Sequence, residues 1–443
     1  MFSNKDLRKL IIPLVIEQLL AVTIGMADTV MVSSCGEAAV SGISLVDSIN
    51  FLLITLFSSL ATGGAVIASQ YIGRGDHKSA SLAAKQLFYA SLALSAVLGV
   101  IAVFFRKPVL NMVFGSIEAD VMAHAQIYFL LSAIFYPFLA VYNAGAALFR
   151  SMGDSRTTML ISILMNTINI VGNAILIYGF QMAAAGAATA SLVSRAVGAI
   201  IITVLLLNPR RIIFYDKLHK PEIHLSMLKS ILQIGVPNGL ENSIFQIGKI
   251  LVASIVSGFG TISITANAVA GNLASLQVIP GMALGMAMIT VVGQCIGAKD
   301  YEAVKKYTKK LMLITYGVVW AMTLLMLLFS KQILSFYSLS EETTTMTMEV
   351  FIVHGICAVI VWPLAFALPN ALRAANDVRF TMIVSLLSMW IFRIGFSYIL
   401  AIYFNMGILG TWIAMCIDWF CRGACFVIRF ARGKWKNISF IDN

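Results

Sequence analysis

Two acidic residues, Glu17 and Asp28, interrupt an otherwise apolar run from Leu10 to Val32. They stand 11 residues apart. At about 100° per residue a helix returns both to one face, roughly 16 Å apart along its axis. The run is long enough to cross a bilayer, since about 20 apolar residues match a hydrocarbon core of roughly 30 Å. A carboxylate at that depth costs about 2.5–3.5 kcal/mol on insertion scales and is found facing a cavity, a partner or an ion path. Asp28 has no basic residue within its own span. It is therefore expected to take up and release a proton, or to hold a sodium ion beside amide and hydroxyl oxygens.

Amides recur at membrane depth elsewhere. Asn166, Asn169 and Asn173 follow one another at spacings of 3 and 4, which puts them on one helix face. Hydrogen bonding between helices is the plain alternative to ion binding there. A second stripe runs through Asn238, Asn242, Gln246 and Lys249, with Glu241 eight residues before Lys249 on nearly the same face. Glu241 is expected to meet substrate, or to form an extended pair with Lys249. Asp418 and Arg422 match the i,i+4 spacing of an intrahelical ion pair. Arg195 and Arg393 are expected to bond backbone carbonyls near span ends. Met282, Met286 and Met288 suit adaptable apolar contact or simple core filling.

The elements that must position these groups follow from composition. Of 443 residues 59% are hydrophobic and 12% charged, and the mean hydropathy is +0.90. Soluble domains average about 25% charged residues, so a helical multi-pass membrane protein is indicated. The short alternating segments of an outer-membrane barrel do not occur. Twelve apolar runs centre near residues 22, 58, 96, 136, 169, 196, 243, 281, 318, 361, 392 and 419. We read the first as a retained span rather than a cleaved signal.

With both termini on the cytoplasmic side, 24 of the 31 Lys and Arg fall in inside segments and only Arg106, Lys107 and Lys331 outside. That is the positive-inside pattern for an even number of spans. It directs the net charge of +11 toward anionic inner-leaflet lipid rather than nucleic acid. The six cysteines form no CxxC pair and suit buried packing. The five histidines do not cluster, and no GxSxG, HExxH or phosphate-cradling loop occurs. An enzyme is not expected, nor a cofactor or nucleotide coupling.

The chain repeats itself at an offset near 224 residues. IIPLVIEQ (11–18) aligns with GVPNGLEN (235–242), SQYIGRGD (69–76) with GQCIGAKD (293–300), and ALFRSMGDSRTTM (147–159) with ALRAANDVRFTM (371–382). Three matches in register argue for duplication of a six-span unit. An even number of spans gives both copies the same membrane orientation, the parallel-repeat arrangement of some transporters. Gly73 and Gly297 are expected to close helix ends, with Asp76 and Asp300 capping the next helices.

The sequence resembles the MATE (multidrug and toxic compound extrusion) family, within the wider superfamily that also holds flippases of lipid-linked saccharides. The resemblance covers essentially the whole chain. It rests on the twelve spans, the proline-then-acid start of each half (Pro13/Glu17 and Pro237/Glu241), and the loops SQYIGRGD and RSMGDSR. It implies an all-α protein of two six-helix lobes, 1–208 and 227–443, joined by a cytoplasmic linker at 209–226. It further implies an inner-membrane antiporter that expels cationic amphipathic compounds by alternating access as Na⁺ or H⁺ flows inward. Export of a lipid-linked or polysaccharide substrate is the alternative.

Asp28 falls where the family has its first-span acid. Asn169 and Asn173 fall where many members have an asparagine and then an aspartate, so one of two usual carboxylates is an amide here. Glu241 matches the seventh-span acid of another branch, whose tenth-span aspartate is missing between Trp362 and Asn370. The cation-coupling residues are thus expected to be Asp28, Asn169, Asn173 and Glu17, with Asp28 as the Na⁺ ligand if sodium is the ion. Glu241, Asn238, Asn242, Gln246 and Met286 are expected to bind substrate. The partners would be that substrate and membrane lipid, and the protein a monomer.

Overall fold

The computed structural model describes residues 2–115, 118–216, 218, 220, 222–337 and 339–441. Among them there are helices and connections but no strand. Eleven helices are long and apolar enough to cross a membrane by length and composition. A further helix of 30 residues at the amino terminus carries Glu17 and Asp28.

In chain order the twelve are α1 (Asn4–Ser33), α2 (Glu37–Arg74), α3 (His77–Phe114), α4 (Ala119–Ser151), α5 (Ser155–Gly179), α6 (Ala183–Leu206), α7 (Leu225–Ser257), α8 (Thr261–Gly297), α9 (Tyr301–Leu328), α10 (Glu341–Ile360), α11 (Val378–Tyr403) and α12 (Gly407–Ala431). After α10 come a widened turn, Pro363–Ala367, and a short helix, Leu368–Ala374.

The chain divides by its contacts into Phe2–Gly239 and Leu240–Asn443, so the division falls inside α7. The connection 207–224 is fastened in the first unit to α3 and to the turn between α4 and α5. Gln86 bridges it by donating to the Glu222 carbonyl at 2.6 Å and accepting from the His224 amide at 3.1 Å. Tyr89 donates to the Leu218 carbonyl at 2.7 Å, and Arg211 pairs with Asp154 at 3.3 Å. Lys217 lies outside the described residues. The first unit buries a core around Phe57, Phe129 and Tyr136. The second buries one around Trp362, Trp412 and Trp419.

Four tight connections share one construction, a left-handed residue followed by Asp. Gly75 (φ 79°), Gly153 (φ 79°), Lys299 (φ 54°) and Asn376 (φ 66°) precede Asp76, Asp154, Asp300 and Asp377. The first three acids accept from the amide three residues on, at 2.9–3.1 Å, each capping the next helix. The Ser79 side chain first, and then its amide, lower the Asp76 carboxyl below the usual carboxylate range. Asp377 instead takes a fork of two bonds from Arg429, at 2.6 and 3.0 Å.

The expected closures at Gly73 and Gly297 are corrected. Gly73 lies inside α2, and Gly297 is the last residue of α8 but is not the left-handed one. The reversal falls two residues later because the left-handed residue must directly precede the cap.

Packing in the first unit brings α2 and the start of α7 nearly into backbone contact. A methyl at Gly63 would lie 2.5 Å from the Ile231 carbonyl oxygen and 2.9 Å from the Gly235 nitrogen. Gly63→Val is expected to destabilise by about 1–3 kcal/mol through overpacking. Thermal unfolding of the detergent-purified protein would read this as a fall of several degrees.

Candidate ion and substrate sites

Three of the residues singled out by spacing meet in the first unit. Asn173, buried on α5, donates to Asp28 Oδ1 of α1 at 2.7 Å. The same amide reaches Asn169 Oδ1, one turn earlier, at 3.4 Å, and Asn169 donates to Ser191 of α6 at 3.1 Å. Asn173 Oδ1 is buried without a donor. A carboxylate and an amide oxygen without a donor are both hard oxygen ligands, of the kind that suit hard cations.

Helix geometry explains the meeting. Asn169 and Asn173 stack at i,i+4, and α5 widens immediately after Asn173, over Ala174–Gly179.

A second acid belongs to the same surroundings. Asp47 of α2 accepts from Tyr128 at 3.0 Å and from Asn50 at 3.2 Å. Asn50 accepts from Tyr136 at 2.8 Å and donates to Ser132 at 3.1 Å. Arg195 and Asp47 are the charged groups acting on Asp28. The Arg195 guanidinium lies 3.8 Å from the centroid of Phe135. Its position at mid-helix, over a ring, replaces the expected bonds to carbonyls near a span end.

Sequence reasoning missed Asp47, Asn50 and the two tyrosines because it centred the second span at residue 58. Since α2 begins at Glu37, Asp47 lies well inside the helix. The acid-then-amide spacing of Asp47 and Asn50 was the available signal.

Glu17 does not join this group. It accepts from Arg150 at 3.3 Å and from Thr158 at 2.8 Å. Glu241 repeats the arrangement in the second unit, accepting from Arg373 at 2.7 Å and Ser385 at 2.6 Å. The expected Glu241–Lys249 pair is corrected, because roughly 12 Å of helix rise separates the two. Arg373 is held in turn by Asn370 at 2.9 Å. Of the other residues expected at the substrate site, Asn238 is buried and Asn242, Gln246 and Met286 are half-buried. Asp418 pairs with Arg422 as the spacing indicated, both oxygens at 3.2 Å, and Arg393 adds a third contact at 3.7 Å.

This is a multi-pass helical membrane protein whose acids and amides sit inside two copies of one six-helix plan. Comparison with known proteins agrees. The family model MatE matches twice, over residues 13–175 and 237–399, at an offset of 224. The chain belongs to the MatE family and is a transporter rather than an enzyme.

The transporter YisQ of Bacillus subtilis is 26% identical over 428 residues, covering 96% of this chain and 93% of that protein. A Bacillus cereus protein named as a probable multidrug resistance protein, NorM, is 29% identical, covering 95% and 93%. A structure described as the outward-facing conformation of a multidrug resistance MATE family transporter superposes with a TM-score of 0.89. It is 21% identical over 98% of this chain and 97% of that one.

The two kinds of acid predict different phenotypes. Glu17→Gln removes the carboxylate that Arg150 and Thr158 donate to and is expected to cost about 1–3 kcal/mol. Asp28→Asn removes a charge whose direct partner is a neutral amide and is expected to change stability far less. Melting temperatures of the two purified variants check this, and a larger fall for Asp28→Asn would reverse the assignment.

Proposed function

We propose that the protein is a secondary active efflux antiporter that exports amphipathic organic cations in exchange for Na⁺ or H⁺. Asp28 is the coupling acid. The reading is carried by one arrangement: a carboxylate at membrane depth bonded to an amide, beside a buried amide oxygen with no donor. Sodium would be held by the Asp28 carboxylate and Asn173 Oδ1. A proton would be carried by Asp28 alone, since amides do not titrate. Asn169 holds the Asn173 amide in place and is itself held by Ser191.

The multidrug resistance names of relatives support the substrate class, and the charge distribution over the connections supports cytoplasmic termini in the inner membrane. Exchange requires that ion and substrate each favour a different one of two states, since a ligand with equal affinity for both shifts nothing. Glu17 and Glu241 act as structural partners of Arg150 and Arg373 in this scheme, and the chain works as a monomer.

Counterflow in proteoliposomes tests the reading. Inward sodium and proton gradients are imposed separately against an organic cation. One gradient is expected to drive export in the wild type, and Asp28→Asn is expected to abolish that drive while leaving the protein folded. Gradient-driven export at the wild-type rate in Asp28→Asn would refute the coupling role.

A further inference from the structure

In the second unit α10 and α12 face one another through rings. His354 of α10 lies edge-on to Trp412 and Trp419 of α12, at 5.6 and 5.2 Å between centroids. The imidazole is fixed from behind. Its Nδ1 meets Gln277 Oε1 of α8 at 2.8 Å, and Gln277 donates to Thr323 of α9. All five side chains are buried. One side of α10 is therefore held against one side of α12.

Two thiols lie in that seam. On α12, Cys416 stands one turn after Trp412 and one turn before Trp419, and on α10 Cys357 stands one turn after His354. Cys416 Sγ reaches the Val353 carbonyl at 4.0 Å. In a helix that carbonyl accepts from the amide four residues on, which here is Cys357. The Cys416 sulfur thus sits over the turn that carries the Cys357 side chain, and the two thiols are hydrogen-bonded to each other. Both residues are half-buried. Among the described residues no set of three metal-ligating side chains forms around them.

The other four cysteines are placed differently. Cys421 and Cys425 lie one turn apart on α12, where side-chain roots stand about 5–6 Å apart. A disulfide needs roughly 3.8 Å between them. Cys35 belongs to the first unit, and Cys295 is buried near the end of α8 in the second.

We propose that Cys357 and Cys416 form an oxidant-sensitive pair, which a small uncharged peroxide closes to a disulfide tying α10 to α12. One sulfur attacks a peroxide oxygen, the O–O bond breaks, and a sulfenic acid and one water result. The second sulfur attacks the first, the S–S bond forms, the S–O bond breaks, and the oxygen leaves as a second water. The two sulfurs supply the two electrons that the peroxide takes, and both thiol protons end in water. Membrane depth selects the reactants. Hydrogen peroxide carries no charge and can enter, whereas charged glutathione stays in water, so reopening falls to a small neutral dithiol. The inference is independent of the ion and substrate readings above.

Alkylation after oxidation tests it. The reduced, detergent-purified full chain is treated with hydrogen peroxide, then with catalase, unfolded, and labelled with N-ethylmaleimide. Mass spectrometry is expected to find six labels on the reduced chain and four after peroxide, with a cross-linked peptide joining Cys357 to Cys416. Dithiothreitol is expected to restore all six. Cys416→Ser is expected to carry five labels under both conditions, and its melting temperature checks that it folds. The linked wild type is expected to melt a few degrees above the reduced form. Six labels after peroxide, a link between other cysteines, or a linked form that melts no higher than the reduced one would overturn the proposal. A loss of label that persists in Cys416→Ser would give the oxidation to an exposed thiol such as Cys425 and likewise overturn it.

Discussion

A charge taken out of water must find a partner, and most of this architecture follows from that requirement. Glu17 with Arg150, Glu241 with Arg373, Asp377 with Arg429 and Asp418 with Arg422 are each joined at 2.6–3.3 Å, mostly between different helices. These pairs fix which helices lie side by side. Against them the exceptions stand out. Asp28 and Asp47 are bonded to amides and a phenol, and Lys249 rests on a ring. Arg195 is the cation that acts on both of these acids.

Duplication supplied one plan, and the two copies kept its structural parts while their chemistry diverged. The proline-acid opening, the acid–arginine clasp and the left-handed residue before Asp recur in both halves. The variable part is the middle of the membrane. There the first copy carries Asp28, and the second carries Val252 at the same register. A clasp must be preserved for each half to fold, whereas a group outside the clasps can be exchanged without dismantling its surroundings.

Much of this was legible in the sequence, and the parts that were not share a cause. Span number, the repeat and the shared face of Asn169 and Asn173 follow from hydropathy and helical spacing, which are local properties, whereas their meeting with Asp28 was implied by the family resemblance. Pairings across helices are not local. Nothing in the spacing of Glu241 selects Arg373, 132 residues away, over Lys249, eight residues away. Asp47 was hidden by a boundary error, since an apolar run marks the centre of a helix better than its ends. Arg195 was misplaced because a sequence gives no sign that Phe135 waits beneath it.

The widened turns carry a further meaning. Those at Ala174–Gly179 and Tyr398–Tyr403 coincide when the halves are laid over one another at 224 residues, so this irregularity is older than the doubling of the gene. The one at Met389–Gly395, which contains Arg393, has an ordinary helical counterpart in the first half. A wider turn winds fewer degrees per residue, so every side chain beyond it is aimed differently. The later half therefore acquired its own outlook by unwinding slightly, and equal position in the repeat ceased to mean equal direction.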